Sequence, residues 1–114
     1  MLAVIFEVWP TTEGKAEYLE IAANLKTFLE DRDGFISIER FQSLTEENKV
    51  LSLSFWRDEE AVKAWRNLFE HRDAQTQGKT RLFERYRIRV AEVVRDYTAD
   101  ARDEAPSDSR NAHR

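Results

Sequence analysis

Apolar and polar positions along this chain set out six elements in turn. From Leu2 to Trp9, Val, Ile, Phe and Trp crowd nearly every position, so both faces of the strand they predict are apolar. Such a strand belongs at the centre of a sheet, covered on two sides. Glu7 breaks the run, and a carboxylate there must face a cavity or meet a cation. Pro10 ends the strand because it has no N–H for the ladder. Thr11 and Thr12 then offer an N-cap, and Glu13 suits the positive end of a helix. Tyr18, Leu19, Ile21, Ala22, Leu25, Phe28 and Leu29 recur at helical spacing. Gly34 can take the left-handed conformation that closes a helix. The rhythm then shortens to two. In Phe35–Gln42, Ile36 and Ile38 oppose Phe35, Ser37, Glu39 and Phe41. In Val50–Trp56, Leu51, Leu53 and Phe55 oppose Val50, Ser52, Ser54 and Trp56. Joined by the polar stretch 43–49, these predict an antiparallel hairpin. Asp58 is the expected N-cap of a second helix, with Ala61, Val62, Trp65, Leu68 and Phe69 as its buried stripe. A short helical piece is expected from His71 to Gln77, broken by Gly78. Tyr86–Tyr97 reads as the last strand, with Arg85, Arg87, Arg89 and Arg95 interspersed.

Strand, helix, strand, strand, helix, strand is the ferredoxin-like βαββαβ order: an α+β fold with helices on one face of a four-stranded antiparallel sheet. The uncovered face would leave a large apolar patch on so small a protein, so a homodimer through that face is expected. The composition changes at Thr98. From there to Arg114 no Leu, Ile, Val or aromatic residue occurs, which predicts a disordered polar tail behind a single domain of residues 1–97. The full length of 114 residues suits one such domain. A net charge of -4 gives no reason to expect nucleic acid or an anionic membrane as partner. The absence of cysteine excludes disulfides and thiolate chemistry. With no basic leader before the first strand and no apolar run long enough to span a bilayer, a cytoplasmic location is expected. No His/Asp/Glu spacing suggests a metal site, and Gly14, Gly34 and Gly78 make no phosphate-binding loop.

The residues with chemical potential cluster around the second helix. The run Phe55-Trp56-Arg57-Asp58-Glu59-Glu60-Ala61, followed by Trp65-Arg66, His71, Gln75, Gly78, Tyr86 and Arg95-Asp96-Tyr97, resembles the antibiotic biosynthesis monooxygenase domain across residues 1–97. The resemblance implies a dimeric α+β barrel with a pocket between helices and sheet in each subunit. In one branch it implies O₂-dependent oxidation of aromatic phenols to quinones without metal, flavin or haem. In a related branch it implies haem binding and degradation. His71 is the candidate base, since an imidazole can deprotonate a phenol near neutral pH, and Glu7 is the second candidate. Trp65 is the expected substrate wall, with Phe55, Phe69, Asn67 and Arg89 as further binding candidates. Each also has a plainer reading. Trp65 reads equally as core, His71 as a helix-end residue, and Glu7 as the partner of a last-strand arginine that would lower its pKa. Asn67 follows Trp65, whereas the quinone-forming branch has its asparagine before the tryptophan. Gln75 stands where the haem branch carries its ligand, and Phe6 and Glu7 where that branch has an asparagine; both departures count against haem. The expectation is a cofactor-independent monooxygenase acting on a small aromatic or quinol substrate. The alternatives are a non-catalytic ligand-binding or structural dimer, and a haem-degrading enzyme.

Overall fold

The computed structural model describes residues 1–67 and 82–112. Four strands form one antiparallel sheet: β1 (Leu2–Pro10), β2 (Phe35–Gln42), β3 (Val50–Trp56) and β4 (Phe83–Glu92), in the spatial order β2-β3-β1-β4. Helix α1 (Lys15–Leu29) follows β1, and α2 covers residues 59–67 of the described chain. A short α3 (Ser107–Ala112) lies beyond the sheet. The fold is ferredoxin-like, as the element order predicts.

β1 is central because it is apolar on both sides. Its even residues Val4, Phe6 and Val8 are buried on the inner face. Ile5, Glu7 and Trp9 point to the outer face. β3 pairs along its whole length, from Leu2↔Trp56 to Val8↔Val50, and β4 pairs on the other side, from Leu2↔Glu92. The fully buried Trp56 donates its indole N–H to Ser54 Oγ at 2.8 Å, so this inward hydroxyl is satisfied within the core. Complete burial of side chains such as Val4 and Val8 stabilises the fold by about 1.5–3 kcal/mol each.

Helix α1 buries Tyr18, Ala22 and Leu29, but Leu19 and Phe28 from the expected stripe lie exposed. Its start differs from the threonine N-cap. Gly14 occupies the cap, and Thr11 Oγ1 instead accepts the Gly14 N–H at 2.8 Å, one turn earlier. Asp58 caps α2 as expected, accepting the Ala61 N–H at 3.1 Å. Gly34 adopts φ +83°. It does so after a turn beyond Leu29, at the entrance to β2.

In β2 a bulge between Phe35 and Ser37 turns Ile36 out to solvent, while Ile38 stays buried. The final strand begins and ends earlier than its apolar pattern suggests. Phe83 and Arg85 already pair with β1, whereas Val94 and Tyr97 lie past the last pair and are exposed. Residues 98–112, which hold no large apolar side chain, carry local structure where composition predicts disorder. Arg102 donates to Thr98 O at 3.2 Å and to Ser109, and its guanidinium lies 5.2 Å from the Tyr97 ring. Hydrogen bonds from one guanidinium, together with the burial of Ala105, supply this order.

Candidate functional site

α1 and the inner sheet face leave between them a cavity of about 40 Å³. The sequence explains its two chemical halves. Phe6 on β1, Trp65 on α2 and Phe83 on β4 are inward-facing aromatics at strand and helix periodicity, and they form the wall. The Phe6 and Trp65 ring centroids are 5.8 Å apart at 76°, and Phe6 and Phe83 are 6.1 Å apart at 89°. These edge-to-face pairs fix the ring planes. Half-buried Ile21 and Leu25 of α1 form the rim.

The polar half comes from Tyr18, Arg40 and Ser52. Tyr18 is buried and packs edge-on to Phe83, with centroids 5.3 Å apart. Burial pushes its phenol pKa up, and the nearby Arg40 charge and hydrogen bond offset this only in part. The hydroxyl is therefore protonated at neutral pH and available as a donor. Arg40 reaches the cavity because it shares the β2 face of buried Ile38 and pairs in register with Ser52. Its Nη2 donates to Ala22 O of α1. Its Nε is buried with no hydrogen-bond partner, and no carboxylate among the described residues pairs with it. An unpartnered buried donor costs about 1–3 kcal/mol.

Of the residues singled out in the sequence, Trp65 lies in this cavity wall, 3% exposed. Glu7, Phe55 and Arg89 do not reach it, because their strand parity sends them to the outer face. There Glu7 pairs with Lys49 at 2.6 Å and Arg89 at 2.7 Å. The Lys49 hydrogen bond, with smaller contributions from the Lys49 and Arg89 charges, outweighs desolvation and lowers the Glu7 pKa. A carboxylate held ionised on the far side of the sheet is a poor base for a ligand in the inner cavity. Asn67 is exposed on α2. His71 and Phe69 lie outside the described residues. The outer face carries a wider, shallower hollow of about 370 Å³, lined in part by Ile5, Phe41, Leu51, Glu7 and Arg89. Its floor is bridged by the Glu7 ion pairs. Tyr18, Arg40 and Ser52 escaped the sequence reading. The signal for Arg40 was a charge continuing the inward series of Ile38.

A four-stranded antiparallel sheet with an aromatic-walled cavity under its helices defines an α+β domain of ferredoxin-like type. The family description "antibiotic biosynthesis monooxygenase" matches residues 1–77. The chain belongs to the antibiotic biosynthesis monooxygenase family. It is 41% identical over 113 residues to the jasmonate monooxygenase ABM of Pyricularia oryzae, with 91% of this chain and 53% of that protein covered. The chain thus spans about half the length of that relative. It is also 30% identical to the uncharacterised protein YqjZ of Bacillus subtilis, covering 82% of this chain and 79% of that one. Among solved structures, Rv0793 from Mycobacterium tuberculosis shares the fold with a TM-score of 0.70 at 18% identity, covering 85% of this chain and 98% of that one. The heme-degrader MhuD from Mycobacterium tuberculosis, with two hemes in its active site, shares it with a TM-score of 0.62 at 19% identity, over 86% of this chain and 100% of that one.

Proposed function

We propose that this domain is a cofactor-independent monooxygenase that oxidises a small aromatic or quinol substrate with O₂ in the inner cavity. The observation that carries the reading is the aromatic wall of Trp65, Phe6 and Phe83 facing the neutral Tyr18 hydroxyl across an apolar space. In a reaction of this kind the substrate supplies the electrons. A ring C–H becomes C=O, one oxygen atom enters the ring, and the other leaves as water. The protein need only hold the ring, favour loss of the phenolic proton and keep water out. Trp65 and Phe6 hold the ring edge-on, and Tyr18 donates to the oxygen that gains charge. His71 is the proton acceptor, a role resting on its position in the sequence.

The cavity is smaller than the several hundred Å³ that a bound ring usually occupies. Entry must therefore spread Ile21 and Leu25 away from the sheet. The described lining residues offer a phenol, a hydroxyl and a guanidinium but no imidazole or thiolate.

Family membership and the jasmonate-oxidising relative support the monooxygenase class. Oxygen uptake should appear with a panel of hydroquinones and naphthols, and persist after dialysis against a chelator. Trp65→Ala and His71→Ala should each lower the rate at least about tenfold. No uptake across the panel, or full activity in both variants, would remove the reading. A Soret band on adding haemin would reinstate the haem alternative.

A further inference from the structure

We infer that the inner cavity takes its ligand as an anion: an apolar molecule ending in a negatively charged oxygen group, held by the Nε side of Arg40. This rests on the inner cavity being the substrate site and adds the chemical class of what enters it. Several other arginines of the described chain are committed elsewhere. Arg57 holds Asp33 and Asp58, Arg89 holds Glu7, and Arg85 stacks 4.0 Å over Trp9. Arg102 also buries an unpaired Nε, but its η nitrogens are spent on Thr98 and Ser109. Arg40 differs from all of these. It lines an apolar cavity and lacks a carboxylate partner among the described residues. Its guanidinium gives Nη2 to a backbone carbonyl and hydrogen-bonds the Tyr18 hydroxyl, and it leaves Nε–H buried without an acceptor.

A guanidinium binds anionic oxygens through paired N–H groups along one edge, and a half-used edge beside an apolar space is built for such a group. The Tyr18 hydroxyl, also on the cavity, supplies a second donor. A neutral ligand that offers no acceptor would leave the Nε–H without a partner. A carboxylate and a phenolate share the required chemistry, and the experiment separates them.

Isothermal titration of the full chain at neutral pH would compare phenylacetate with its methyl ester, and pentafluorophenolate with its methyl ether. Each preferred anion should bind roughly 10–100-fold tighter than its neutral partner. Arg40→Met should erase that preference, so that each anion binds no more tightly than its neutral partner. Arg40→Lys keeps the charge without the Nε edge and should restore part of it. Tyr18→Phe should weaken the anions by a smaller factor. Circular dichroism would establish that each variant is folded, and should Arg40→Met fail to fold, the wild-type ligand order and Arg40→Lys decide. Preference for only one anion identifies its source and supports the inference. Equal binding of acid and ester, no anion binding at all, or an anion preference surviving in Arg40→Met would overturn it. Anion preference without oxygen uptake would remove the oxygenase reading and leave this one standing. Oxygen uptake indifferent to substrate charge would do the reverse.

Discussion

At the scale of single residues, two charges in apolar strands met opposite fates. Glu7 faces outward and is answered by Lys49 and Arg89, while Arg40 faces inward and is answered by no carboxylate of the described chain. The Glu7 pairing has a pH signature. Its folded pKa lies below the ordinary value of 4.5, so the pairing stabilises the fold above that pH and is lost as pH falls through the lowered pKa. Glu7→Gln should therefore lower Tm by a few degrees near neutral pH, and the gap from wild type should close in acid; thermal melts at several pH values check this. The sequence marked Glu7 because it interrupts β1, but a strand apolar on both faces has no parity to say which way the carboxylate points. Arg40 was legible in principle, two positions after Ile38, yet the alternation of β2 drew attention to its apolar members. Tyr18 was read only as part of a helix stripe, because its hydroxyl gains meaning only once β2 brings a cation beside it.

Element by element, the pattern located the four strands of the described residues and both longer helices, and it erred where local geometry breaks periodicity. The β2 bulge and the early start of β4 are such places, since a one-residue slip or an added pair leaves the apolar rhythm nearly unchanged. The junction between the α1 turn and β2 shows what the sequence did specify. Gly34 is left-handed, its carbonyl accepts the Arg57 N–H at 2.8 Å, and a Cβ there would lie 2.7 Å from Ala61 Cβ on α2. Gly34→Ala would impose both backbone strain and a clash between β2 and α2. It should cost at least about 1–3 kcal/mol in urea unfolding. Because α2 carries Trp65, the same change should also disturb the cavity wall.

For the whole molecule, the outer face poses the largest question. Ile5, Leu51, Leu53 and Phe55 are only half-buried there, around the Glu7 ion pairs. A second copy across this face would cover them, and sedimentation should report a dimer. Leu53→Asp, central on that face, should yield a folded monomer; an unchanged dimer would place the contact elsewhere. The central position of β1 has a different consequence, one that concerns time. Its two neighbours are contributed by residues 50–56 and 83–92, and Leu2 pairs as far away as Glu92. During synthesis β1 therefore leaves the ribosome long before either neighbour exists, apolar on both faces and with both edges open. Long-range pairing of this kind slows folding and exposes the strand to association with other chains. The segment best covered in the finished sheet is the one most in need of protection while the chain is being made.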